Sequence, residues 1–133
     1  MFNEQKATET LISGYEEAER VLNDADKLEE LLQALEKKLK KIPAVGEKLS
    51  YVPIMVLLIR SYIKKEYTQV PLGSIIAAIS SILYVVNHFD LIPDSIPLAG
   101  YLDDAAVLTV ALKMIESDIE DYKKWCIANG KKI

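Results

Sequence analysis

Tyr67 to Phe89 reads YTQVPLGSIIAAISSILYVVNHF, 23 consecutive residues without an Asp, Glu, Lys or Arg. Leu72, Ile75, Ile79, Ile82 and Val86 recur at helical spacing and form one stripe. Gly73, Ala77 and Ser81 form a second stripe at i, i+4 and i+8, where small residues let another backbone come close. The spacing predicts a helix from Pro71 to Asn87. A helix that is apolar all round lies either in a protein core or in a membrane. Val70 to Val86 is 17 residues, short of the roughly 20 that span a bilayer. Gln69, Ser80, Ser81 and Asn87 weaken the span further. The next apolar limb offers only Ala105 to Leu112 before Lys113. The expectation is therefore a water-soluble bundle whose other helices cover this one. The alternative is a hairpin that dips into or lies on a bilayer.

The flanking sequence supplies the covering helices. Leu11, Tyr15, Ala18 and Leu22 follow a helix rhythm, as do Leu28, Leu32, Leu35, Leu39 and Ile42. Between them Asn23-Asp24-Ala25-Asp26 offers N-cap side chains, so a break is expected there. One continuous helix from Thr8 to Lys41 is the alternative, because no Gly or Pro enforces the break. Lys37, Lys38, Lys40 and Lys41 crowd the end of this pair, where cations meet the negative end of the helix dipole. Pro43 and Gly46 then stop it. A third helix is expected from Pro53 to Glu66, with Ile54, Leu57, Leu58 and Tyr62 on its apolar face. His88 to Tyr101, which contains Pro93, Pro97 and Gly100, reads as a structured turn. A last helix is expected from Leu102 to Ala128, burying Leu108, Leu112, Ile115, Ile119, Tyr122 and Cys126, with Gly130 as its stop. The fold class is all-α: a four- to five-helix bundle built around an antiparallel hairpin with an acidic, Pro- and Gly-rich turn. Residues 1–45 form an amphipathic N-terminal helical pair and residues 46–133 the second unit.

Composition narrows the chemistry. The 133 residues carry 16 Lys+Arg against 20 Asp+Glu, a net charge of −4. That balance argues against sequence-independent nucleic-acid binding, which needs a basic field. One Cys excludes an internal disulfide, and one His excludes two-His metal motifs. The polar, partly acidic stretch from Met1 to Glu9 is unlike a secretory signal. A cytoplasmic location, with membrane association as the alternative, is expected.

The stretch from Asn87 to Asp104, NHFDLIPDSIPLAGYLDD, resembles the signature of the YkvA-like family, a bacterial domain of unknown function. Asp90, Leu91, Ile92, Pro93, Asp94, Pro97, Gly100, Asp103 and Asp104 match it, and a looser likeness runs from Val52 to Trp125. One position departs: His88 stands where the family usually has Pro. The resemblance implies a helical hairpin domain and no established reaction. Many relatives look membrane-associated.

Asp90, Asp94, Asp103 and Asp104 would gather at one end of such a hairpin, with His88 beside them. As structural groups they cap helix ends and close turns, Asp103 and Asp104 favouring the first-turn N–H groups. As a site they would offer oxygen ligands suited to Mg²⁺, Ca²⁺ or Mn²⁺. The spacing matches no EF-hand loop, so no metal site or cofactor is assigned. Asp104 lies four residues before Leu108, on the apolar stripe, and should be the least exposed of the four. Pro93, Pro97 and Gly100 shape the turn, with Gly100 expected in a conformation that disfavours a side chain. Ser80 or Ser81 with His88 and Asp90 lacks the nucleophile elbow and oxyanion donors of a hydrolase. The expectation is a non-catalytic interaction protein that binds a protein partner, in an adaptor- or immunity-like way. A membrane-associated hairpin and a metal-dependent enzyme using the Asp cluster are the alternatives. The Lys37, Lys38, Lys40 and Lys41 cluster could meet anionic lipid or an acidic partner.

Overall fold

The computed structural model describes residues 4–39, 51–91 and 102–131. Among these the regular elements are helices: α1 (Glu4–Ser13), α2 (Tyr15–Leu22), α3 (Ala25–Leu39), α4 (Val52–Ile63), α5 (Leu72–Leu91), α6 (Leu102–Met114) and α7 (Glu116–Ala128). The all-α bundle is thus present. The five expected rods become seven helices because two of them break, at Gly14 and at Ile115.

The uncharged helix α5 is the axis of the bundle. It packs against α1, α2, α3 and α6. From Ile75 to Val86 every side chain is buried except those of Ile76 and Tyr84, which are half-buried. Helices α5 and α6 run antiparallel. The end of α5 and the start of α6 are joined by ten residues, while the start of α5 reaches past the end of α6, where the Ser74 hydroxyl donates to Asp118 of α7 at 2.6 Å. Leu108, Leu112 and Ile115 share one core with Ile75, Ile79, Ile82 and Val86 on this side of α5, and Ala18, Leu28, Leu32 and Leu35 join the same core. Every residue expected on the buried face of the last rod is buried.

The break between α2 and α3 falls where the sequence puts it, and the continuous-helix alternative is not what forms. Asp24 caps α3 through its carboxylate, which accepts from the Lys27 amide at 3.3 Å. Gly130 ends α7 with φ +68, and the amide of Lys131 returns to the Cys126 carbonyl at 2.8 Å. Both are sequence signals read directly.

Other boundaries differ from expectation, each for a physical reason. Helix α5 continues to Leu91 instead of stopping at Asn87, so His88, Phe89 and Asp90 are helical rather than part of the turn. None of them is a breaker. Helix α4 stops at Ile63 rather than Glu66, because Lys65 takes the left-handed conformation at φ 62. The Glu66 amide then bonds back to the Ser61 carbonyl at 2.9 Å, and the Lys65 amide to that of Tyr62 at 3.1 Å, a Schellman closure without glycine. The buried face of α4 is Val52, Met55, Val56, Leu58 and Ile59; Ile54, Leu57 and Tyr62 are only half-buried. The last rod breaks at Ile115 (φ −108, ψ 11), with no Gly or Pro there. Tertiary contacts set this bend: Ile115 is 1% exposed in the core, and Ser74 holds Asp118 in the first turn of α7.

Close backbone approach to α5 also occurs at an unexpected place. Gly73 faces open space, and Leu72 is 50% exposed. The tight contact is at Ser80, which lies against Gly14, the single residue between α1 and α2. A Cβ at Gly14 would lie 2.5 Å from the Ser80 hydroxyl oxygen. That hydroxyl donates to the Leu11 carbonyl, fixing the end of α1 against α5. Replacing Gly14 with Ala must therefore break a buried hydrogen bond, at about 1–3 kcal/mol. Chemical denaturation should show Gly14→Ala costing about that much in the natural background, and well under half of it when Ser80 is already Ala. Equal costs in both backgrounds would mean that the two residues do not interfere.

Candidate functional site

Three of the four acidic residues singled out in the sequence fall in helices. Asp90 lies in the last turn of α5, and Asp103 and Asp104 lie in the first turn of α6. The antiparallel arrangement brings these two turns to one end of the molecule. Helix α6 thus opens with two carboxylate residues at its dipole-positive end, where anionic groups are favoured. Asp94, Pro93, Pro97 and Gly100 lie outside the described residues. Among the described residues, no three His, Cys, Asp or Glu side chains are grouped so as to hold a metal ion. Lys37 is exposed near the end of α3 and Lys38 follows it in the same helix, while Lys40 and Lys41 lie outside the described residues.

The two serines that could be drawn into a triad with His88 are otherwise engaged. Ser80 donates to the Leu11 carbonyl, and Ser81 donates to the Ala78 carbonyl at 2.7 Å. Both are buried, and each secures a backbone group in the packed interior.

Two polar constellations that sequence reasoning did not select hold the α3–α4 and α4–α7 contacts. Arg60 is the single charge in the otherwise apolar-faced α4. Its Nε meets Glu29 at 3.1 Å, and one terminal nitrogen meets Glu36 at 2.6 Å and Glu29 at 3.2 Å. Burial alone lowers the Arg60 pKa. The hydrogen bonds and charges of Glu29 and Glu36 outweigh it and leave the pKa raised. Arg60 also borders a groove of about 170 Å³ lined by Ala25, Glu29, Leu32, Ile63 and Lys64. An arginine alone in an apolar helix is a signal that the sequence did contain.

Between α4 and α7, Tyr122 and Ser61 share a hydrogen bond of 2.8 Å between their hydroxyls. The Tyr67 ring meets the rings of Tyr122 and Trp125, each at 5.1 Å between centroids, and Tyr122 stacks on Trp125 at 5.8 Å. Lys131 lies 5.9 Å from the Trp125 ring and pairs with Glu66 at 3.2 Å. Cys126 is buried beside this cluster. The arrangement is an aromatic lock on the last helix, and its spread over three elements hid it from periodicity.

Taken together, the described residues form an all-α bundle whose apolar axis is buried from Ile75 to Val86 apart from half-buried Ile76 and Tyr84. Residues 74–110 match the family described as protein of unknown function (DUF1232). A Bacillus subtilis (strain 168) protein described as "Uncharacterized membrane protein YkvA" is 32% identical over 68 residues, which is 51% of this chain and 64% of that relative. The matched segment therefore spans less than two thirds of the relative's own length. These matches support a YkvA-like family assignment, as the motif from Asp90 to Asp104 implies. No solved structure matches the chain.

Burial pushes the Tyr122 phenol up to about 12, against an ordinary value of 10.0; the Ser61 hydrogen bond works in the opposite direction, and Cys126 adds to the rise. Burial likewise raises Tyr67 and Tyr15. The folded state holds these phenols neutral at a pH where the unfolded chain ionises them. The contribution of Tyr122 is therefore complete below pH 10 and is lost as pH climbs towards its folded value of about 12. Thermal melts should show Tm falling across that window. Tyr122→Phe should cost about 1 kcal/mol at neutral pH, from the broken pair with Ser61, yet should show a shallower alkaline fall. An unchanged alkaline slope in the variant would contradict the assignment.

Proposed function

We propose that this protein is a non-catalytic helical interaction module that binds a protein partner, in the manner of an adaptor or immunity protein, from the cytoplasmic side. The observation that carries this reading is the cover over α5. Its charge-free length is wrapped by α1, α2, α3 and α6 of its own chain. Among the described residues, no helix is long and apolar enough to cross a membrane. From Ile75 to Val86 the side chains of this axis are buried apart from half-buried Ile76 and Tyr84, which favours a core role for it over contact with lipid.

A second reading is association with a membrane surface. The relative's printed name, a membrane protein, favours it. So does the exposed Lys37 near the end of α3, since a basic residue close to an anionic bilayer contributes about 1 kcal/mol. A third role, divalent-cation chemistry at Asp90, Asp94, Asp103 and Asp104, has the chemistry of its ligands in its favour, hard oxygen donors at one end of a hairpin.

One preparation separates the three. The chain purified without detergent should sediment as a single species and stay with the aqueous phase when floated with phosphatidylcholine/phosphatidylglycerol vesicles. Its Tm should not respond to Mg²⁺, Ca²⁺ or Mn²⁺. Flotation with the vesicles would overturn the protein-partner reading in favour of the bilayer. A Tm rise with one cation that is abolished by Asp104→Asn would move the function to the hairpin end.

A further inference from the structure

Helix α1 sits apart from the main core. Its buried side chains, Ala7 and Leu11, belong to a second cluster made with Val107, Val110 and Ala111 of α6, and half-buried Tyr15 and Tyr84 pack against that cluster. The rest of the helix is polar or open: Gln5, Lys6, Glu9 and Ser13 are exposed, and Ile12 is 52% exposed. The helix is ten residues long, a length that does not stay helical by itself in water. It is joined to α2 through Gly14 alone, at φ −94 and ψ 0. Its seat is shaped for a helix backbone. Small Ala111 lets a helix come close, and buried Ser80 reaches out to the terminal Leu11 carbonyl. Gly14, by lacking a side chain, leaves room for that hydroxyl.

We infer that α1 is a displaceable occupant of a helix-binding groove on α5–α6. The groove also takes an amphipathic helix of a partner protein with the same pattern, a small residue, Leu four positions on and Gly three further, as in Ala7, Leu11 and Gly14. Two observations select a helix over a lipid chain. The directional hydrogen bond from Ser80 needs a backbone carbonyl at a fixed place, and the close approach at Gly14 needs a backbone without a side chain. This inference rests on the protein-partner reading and gives it a surface. The groove is covered by α1 at rest, so a partner must compete with a tethered helix whose effective concentration is in the millimolar range.

The test uses the full chain and, as probe, a labelled peptide carrying residues 4–22 of this sequence. Leu11→Asp places a charge at a site with no exposure and unseats α1. The full-length Leu11→Asp chain should bind the peptide saturably. The natural chain should bind it too, but at least tenfold more weakly, and a peptide carrying the same Leu11→Asp change should not bind. Adding Ser80→Ala to the opened chain should weaken binding about fivefold, the share of one hydrogen bond. If Leu11→Asp does not fold, Gly14→Val opens the same seat by driving a side chain against Ser80. Equal affinity for the closed and opened chains, or no saturable binding by the natural chain at millimolar peptide, would overturn the inference. So would an opened, folded variant that binds phosphatidylcholine/phosphatidylglycerol vesicles and ignores the peptide. Flotation of the natural chain itself would instead count against the broader protein-partner reading, so the two failures are distinguishable.

Discussion

A helix with no charged residue from its first turn almost to its end cannot present a face to water, and covering it organises everything else. Helix α5 removes nearly all its side chains from solvent between Ile75 and Val86. At about 25 cal/mol per Å² of apolar surface, enclosing Ile75, Ile79, Ile82 and Val86 contributes on the order of 2 kcal/mol each. The amphipathic helices α2 and α3 exist as stable elements because they have this surface to bury against. Their charged faces, with Glu16, Glu17, Glu19 and Arg20 exposed, then form the outer coat. Solubilising charge and apolar axis are thus carried by different segments of the chain, and this explains the uneven charge distribution along the sequence.

Legibility in the sequence followed the range of the deciding interaction. Local signals read well: the Asp24 cap, the Gly130 stop, the stripe from Leu108 to Cys126. Where a boundary was set by another part of the chain, reading failed. Gly14 interrupts a helix because Ser80, far away in sequence, occupies the space beside it. Ile115 bends because the core holds its side chain while Ser74 holds Asp118. Lys65 closes α4 in a conformation that usually calls for Gly, so no sequence rule could locate that end. Of the small-residue stripe, Ala77 and Ser81 are buried while Gly73 faces open space, and a close approach not read from the sequence lies at Ser80 against Gly14. At the acidic turn, the sequence expected Asp90, Asp94, Asp103, Asp104 and His88 to gather; Asp90 and His88 fall in α5 and Asp103 and Asp104 in α6, while Asp94 lies outside the described residues. The Arg60 constellation left one trace, a lone charge in an apolar helix, that was not read, and the Tyr122 cluster joins α4, α7 and the segment before α5 with no periodic trace.

The relative described as a membrane protein and the covered axis of this chain are compatible within one physical picture. The two chains are 32% identical over 68 residues. In this chain α1, α2 and α3, contributed by residues 4–39, lie on α5. Of these covers, α1 has its buried side chains, Ala7 and Leu11, in a cluster separate from the main core. Local opening draws on elements outside the main core before it reaches a core helix.

Native-state hydrogen exchange in detergent-free buffer tests this account most directly. The amides of residues 75–86 should be the slowest in the chain, exchanging only with global unfolding, and adding vesicles should leave them unchanged. Fast exchange of that segment in buffer, with protection gained only when lipid is added, would show that the axis is not enclosed by its own helices.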